Sequence, residues 1–340
     1  MVVNPTLIPF WFNGLWVVSF RKLSHRDQSS ESVACLQGWV GALRRPPNAF
    51  GAVHRPYPNL VAACRHRDEF LRGMSDSRSI GVFDSGIGGL TVAKALQELL
   101  PNERIFYLGD TARVPYGNKS ADTVERYSIE LASMLIRENA KVIVVACNTV
   151  SSVAIPKLRT HVSVPVIGVI EPGAQAAVTT TRNRHIGVIG TRATIRSGAY
   201  ENALRALNVH VRVSSQACPL FVPLIEEGFL NDALTDQTIK RYLDPMIAGG
   251  IDTLVLGCTH YPLLAGAIGR VLGEGIKLVD SARNCAVAVK ELLDRQALRA
   301  TISEKGSLKV ALTDSADNFL DVAKEALQLQ ISDLEVRSVL

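Results

Sequence analysis

The chain has 340 residues, 47% hydrophobic and 20% charged, enough for two ordinary domains and too apolar for a disordered polymer. Six cysteines are too few for a disulfide scaffold, and no spacing gives C-x-x-C or a Cys/His zinc pattern, so no metal is implied and reduced thiols in a cytoplasmic protein are the default. The net charge of +5 lies entirely in residues 1–73, which hold nine Lys/Arg against four acids, so the rest of the chain is not a polyanion-binding body by composition.

Residues 1–77 read as a basic extension. All three tryptophans (Trp11, Trp16, Trp39) fall there, and no sustained period of 2 or 3.6 residues is visible. The run "LIPFWFNGLWVVSF" is too short to span a bilayer and is interrupted by Pro9 and Asn13. It also lacks a basic segment in front and a clear cleavage site behind, which argues against a signal peptide. Three accounts stay open: a disordered extension, a regulatory arm, or sequence upstream of a true start at Met74.

From Ile80 short β-branched runs alternate with amphipathic stretches, the pattern of βαβ units and parallel sheets. Strands are predicted at 80–84, 104–109, 142–146, 165–170, 185–190, 209–213, 253–257, 276–280 and 308–312. A helix is predicted from Ser120, as N-cap, to about residue 139. A weak internal repeat sets "IGVFDSGIGG" against "IGVIGTRATIRSG", and "VIVVACNT" against "TLVLGCTH". The fold class is therefore α/β, with two similar parallel-sheet halves. Ligands in open α/β sheets bind at the carboxyl ends of strands, so the two strand-end cysteines would face each other across a cleft.

"FDSGIGGLT" (83–91) is a strand followed by a glycine turn, the place of a dinucleotide fingerprint. The match is poor, because Thr91 stands where the third glycine belongs and Asp84 would repel a phosphate. A carboxylate there suits a base or a partner for an ammonium group. "GDTARVPYGNKS" (109–120) is a loop by composition, with Tyr116–Gly117 able to offer a phenol and backbone to a ligand. Cys147 and Cys258 each end an apolar run and are followed by small polar residues, Asn148–Thr149 and Thr259–His260. A lone strand-end cysteine is usually packing. Two of them, each opening what reads as a helix N-terminus, suit stabilised thiolates with His260 as an acid–base partner. Cys35, Cys64, Cys218 and Cys285 lack this setting and read as structural. Glu226, in "PLIEEG", is by itself only one of two acids at a helix end.

Taken together, "GVFDSGIGGLTV", "YLGDTARVPYGNKS", "VVACNTVSS", "PVIGVIEPG", "IGVIGTRATIRSGAY", "CPLFVPLIEEG" and "LVLGCTHYPLL" resemble the glutamate racemases of the cofactor-independent aspartate/glutamate racemase superfamily. The resemblance runs from about residue 79 to 281, with the sequence to about 330 also fitting, and excludes residues 1–73. It implies two pseudo-symmetric α/β domains with the active site in the cleft between them. Residues 78–171 plus about 281–340 would form the first, and 172–280 the second. It implies Cys147 and Cys258 as the acid/base pair, assisted by Asp84, Glu226 and His260. It implies substrate contacts from Asp84, Ser85, Tyr116, Gly117, Asn148, Thr149, Thr259 and His260. The implied reaction interconverts L- and D-glutamate and supplies D-glutamate for peptidoglycan. It needs no cofactor. A homo-oligomer and a regulatory cell-wall precursor stay open as partners, and no membrane is implied. An aspartate racemase, an NAD-binding oxidoreductase and a nucleic-acid role for the basic extension are the alternatives.

Thiols suit this chemistry. Racemisation removes the α-proton from one face and returns one to the other, so two fixed bases avoid moving a single one between faces. With a reference pKa of about 8.5, a thiol both accepts and returns a proton near neutral pH. Hydrogen bonds to the substrate carboxylate would spread the charge that develops at Cα.

Overall fold

The computed structural model describes residues 8–12, 15–19, 76–300, 305–315, 321 and 327–338. Residues 1–60 belong to a unit distinct from the remainder. In it, β1 (Ile8–Phe12) pairs antiparallel with β2 (Leu15–Ser19), Trp11 opposite Trp16. The expectation of an extension without periodicity did not foresee these strands. They are nearly continuous apolar runs, which hide a period of 2, and the chain writes Asn-Gly between them, a favoured hairpin dipeptide. Cys35, Cys64 and Met74 lie outside the described residues.

Beyond it, two parallel sheets carry the fold. The first has six strands in the order β12-β11-β4-β3-β5-β6. These are β3 (Ile80–Asp84), β4 (Arg104–Gly109), β5 (Val142–Val145), β6 (Val166–Gly168), β11 (Ser307–Leu312) and β12 (Asp333–Val336). The second has four, in the order β10-β9-β7-β8: β7 (His185–Gly190), β8 (Arg212–Ala217), β9 (Thr253–Gly257) and β10 (Lys277–Asp280). In each sheet the first strand in the chain lies inside the order, with later strands on both sides of it. That is a topological switch point, where a crevice opens at the carboxyl ends. Cys147 follows β5, beside β3; Cys258 follows β9, beside β7.

Both faces of the first sheet are covered, which is why its strands read as unbroken apolar runs. Ile80 and Val82 enter one core and Phe83 the other. The first of these cores also takes in Leu254 and Leu256 of β9 together with Val289 and Leu293, so one apolar body joins the two sheets. Val289 and Leu293 lie on α11 (Ser281–Arg295), which packs against both α1 (Leu90–Leu99) and α5 (Ile170–Thr180). The predicted helix is α2 (Ala121–Arg137), with the Ser120 hydroxyl accepting from the Thr123 N–H at 3.3 Å.

Two expectations need correcting, and one strand was not foreseen. The run 165–170 is strand only over β6, and α5 begins at Ile170. The strand placed at 209–213 is β8, which starts later and is polar; it bonds a neighbour only along β7, so solvent reaches it. The polar edge strand β12 carries too little apolar pattern to be seen.

Candidate active site

Cys147 and Cys258 line a single cavity of about 260 Å³. Ser85, Tyr116, Gly117, Asn148, Thr149, Glu226, Thr259 and His260 line it too. Ten of the eleven residues singled out from the sequence are therefore together, although β3 and β9 are far apart in the chain. The exception is Asp84. It is fully buried behind the cavity, one carboxylate oxygen accepting the Gly89 N–H at 2.8 Å and the other without a hydrogen-bond partner.

The glycine turn after β3 is shaped for close packing. A Cβ at Gly88 would lie 2.3 Å from Nδ1 of His260, and one at Gly89 2.7 Å from Cβ of Asp84. The turn is thus filled by an imidazole and a carboxylate, where a dinucleotide fingerprint would cradle phosphate.

The two sulfurs meet different neighbours. Cys147 caps the short helix α3 (Asn148–Ser151), and its thiol donates to the Ser85 hydroxyl at 3.4 Å. Burial pushes this thiol up to about 12, the Asp84 charge pushes it the same way, and the Ser85 hydroxyl and Val150 N–H only partly oppose them. Cys147 is therefore a protonated thiol near neutral pH. Desolvation outweighs the helix terminus here, contrary to the thiolate expected from sequence. Cys258 opens a turn and a 3₁₀ stretch, Tyr261–Leu264, with Pro262 in its first turn; the expected α-helix does not start at the cysteine. Sγ of Cys258 lies 3.9 Å from Nδ1 of His260, whose Nε2 lies 3.2 Å from Oε1 of Glu226. Burial alone would lower the His260 pKa, but its bonds to Cys258 and Glu226 overcome this and raise it to about 10. A charged imidazole therefore stands against Cys258, its far side held by the last residue of helix α8 (Phe221–Glu226).

Tyr116 offers backbone and ring to the cavity but not its phenol, which donates to Asp110. Asp110 also accepts from Arg113 at 2.7 Å and Thr313 at 2.9 Å, and so anchors the 109–120 loop. Asn148 accepts from the Tyr200 hydroxyl at 2.7 Å, while its own amide nitrogen is buried without a partner. That nitrogen is a ready donor for a carboxylate.

Lining residues not singled out from the sequence include Thr191, Arg192, Cys218 and Tyr261. The repeat held the signal for Thr191, because aligning "IGVFDS" with "IGVIGT" pairs it with Ser85. Cys218, read as structural, directly follows β8 at the cavity wall, where burial and then Cys258 raise its pKa and keep it a thiol. Cys285 is fully buried in the core. Among the described residues no cluster of three or more His, Cys, Asp or Glu could hold a metal ion, and no helix is long and apolar enough to cross a membrane.

A family model described as Asp/Glu/hydantoin racemase matches residues 81–289. A glutamate racemase from Geobacter metallireducens is 49% identical over 257 residues, covering 76% of this chain and 95% of the relative. The crystal structure of Francisella tularensis glutamate racemase in complex with D-glutamate superposes with a TM-score of 0.72 at 38% identity, covering 78% of this chain and 98% of that one. Escherichia coli glutamate racemase, in complex with L-glutamate and the activator UDP-MurNAc-Ala, gives a TM-score of 0.64 at 29% identity, covering 77% and 99%.

Proposed function

The chain belongs to the Asp/Glu/hydantoin racemase family, and from that premise we propose that it is a glutamate racemase working through two opposed thiols. The observation that carries the proposal is the shared cavity. Cys147 and Cys258 arrive from different sheets, each at a switch point, and line one space together with Asn148, whose amide nitrogen is unpartnered.

The α-carboxylate of glutamate accepts hydrogen bonds from Asn148 and from the hydroxyls of Ser85, Thr149 and Thr259. As the α-proton leaves, charge moves into that carboxylate and these bonds strengthen. In the family's assignment Cys258 faces the α-proton of the L-enantiomer and Cys147 that of the D-enantiomer. Cys258 takes the proton of L-glutamate, and Cys147, held as the thiol, delivers one to the opposite face. The return reaction exchanges the roles. Its need for a thiolate at Cys147 is met by the substrate ammonium, a cation brought into a buried site. His260 passes a proton to or from Cys258, and Glu226 keeps it charged and oriented. Asp84 acts from behind Cys147, through its charge.

Residues 78–171 with about 281–340, and residues 172–280, act as two domains that close on the substrate and exclude water. The product D-glutamate serves peptidoglycan synthesis in the cytoplasm, and a cell-wall precursor resembling the activator bound by the Escherichia coli relative regulates the enzyme. Purified protein given L-glutamate without added cofactor should produce D-glutamate up to a 1:1 mixture by chiral chromatography. Conversion of aspartate in preference to glutamate, or conversion that requires a nicotinamide, would overturn the assignment.

A further inference from the structure

The side-chain bonds around the two cysteine turns cross between the sheets, and they do so in both directions. Thr191 to Tyr200 follow β7 of the second sheet, yet their side chains hold the turn after Cys147 of the first. The Tyr200 hydroxyl, on a side chain only 3% exposed, fixes the Asn148 amide at 2.7 Å. Thr149 Oγ1 lies 3.0 Å from Thr191 Oγ1 and 3.3 Å from Thr194 Oγ1. In the other direction the Thr91 hydroxyl, on α1 after β3, lies 3.0 Å from the carbonyl of Thr259, the residue after Cys258, and shares its one proton with the Gly88 carbonyl at the same 3.0 Å. Gly88, in the same turn, packs against His260.

We infer that Tyr200 and Thr91 are reciprocal positioning residues: each sheet holds the cysteine turn of the other, so each tie governs one face of the substrate. The inference rests on the two-thiol reading above. Its physical basis is an orientational choice. With Oδ1 bonded to Tyr200, the Asn148 amide presents its buried Nδ2 as a donor. Without that bond the amide can turn, placing an acceptor against the substrate carboxylate and loosening the turn that aims Sγ of Cys147. Thr91 constrains the Cys258 turn through its backbone carbonyl instead.

Glutamate kinetics cannot separate the faces. The products are enantiomers and the equilibrium constant is one, so kcat/KM must fall equally in both directions for any variant. Elimination from β-chloroalanine does separate them. One thiolate takes the Cα proton, the C–H electrons form the Cα=Cβ bond, and chloride leaves with the Cβ–Cl pair. The 2-aminoacrylate then hydrolyses to pyruvate and ammonium. Each enantiomer reports a single sulfur, irreversibly.

The test measures pyruvate from D- and L-β-chloroalanine in the same preparation, so that the ratio of rates is independent of how much protein is folded. Tyr200→Phe removes only a hydroxyl and should lower the D rate roughly tenfold relative to the L rate, the effect of one lost buried hydrogen bond. Thr91→Val should lower the L rate relative to the D rate by a similar factor, and Thr91→Ser should restore it. Cys147→Ala and Cys258→Ala calibrate the assay by abolishing the D and L reactions respectively. If the cysteine variants show no such opposite selectivity, the two-thiol reading fails and this inference with it. If they do, while Tyr200→Phe and Thr91→Val leave the ratio unchanged, the crossed ties are ordinary packing and this inference alone is overturned.

Discussion

Cys147 and Cys258 are chemically one residue type in two electrical settings. A fixed carboxylate stands behind the first and a protonated imidazole beside the second. Both cysteines were legible because each ends an apolar run and is followed by small polar residues. Their different settings were not, because Asp84 and Glu226 are brought near the sulfurs by the fold. His260 has a consequence for stability that can be signed. Its pKa rises from 6.5 unfolded to about 10 folded. Below about pH 6.5 both states carry the proton and the stabilisation is fully present. Above it the unfolded state releases its proton first, so the stabilisation falls as pH rises and is gone beyond about pH 10. His260→Asn should therefore lose less stability than the parent between those values, read from urea midpoints across the pH range. Parallel declines in the two proteins would show that His260 is not held charged.

At the scale of elements, the β3–α1 turn is among the most tightly packed. The strand, the glycines and the helix after them were all visible in "FDSGIGGLT", but their purpose was not, because the contact that requires glycine is with a histidine 172 residues later. A Cβ 2.3 Å from that ring is closer than such atoms approach, so the imidazole must give by about 1 Å. A displacement of that size in a catalytic group costs on the order of a hundredfold in rate. Gly88→Ala should accordingly lower kcat by about that factor while still gaining thermal stability on addition of D-glutamate. A variant with parent-like kcat would mean that the ring is free to move. The same reasoning explains the misplaced edge strand. β8 is defined by its bonds to β7, whereas the neighbouring "VHVRV" carries the stronger apolar pattern.

For the molecule as a whole, one core joins the two sheets among the described residues from 76 onward. Residues 1–60 of the basic, Trp-containing start of the chain belong to a different unit. A protein beginning at Met74 should be soluble and racemise glutamate at near the full-length rate; an insoluble or inactive product would assign the first segment a role in folding or catalysis.

The central claim, that one proton leaves on one sulfur and a different proton arrives from the other, is tested most directly by running the reaction in D₂O. L-glutamate is sampled at low conversion, and the Cα isotope of each separated enantiomer is read by mass spectrometry. Two opposed thiols predict deuterium in nearly every molecule of D-glutamate formed and almost none in the recovered L-glutamate. The mirror-image result should hold when the reaction starts from D-glutamate. Product that retains the original protium, or deuterium entering the recovered substrate as fast as the product, would mean that one base serves both faces and would contradict the account.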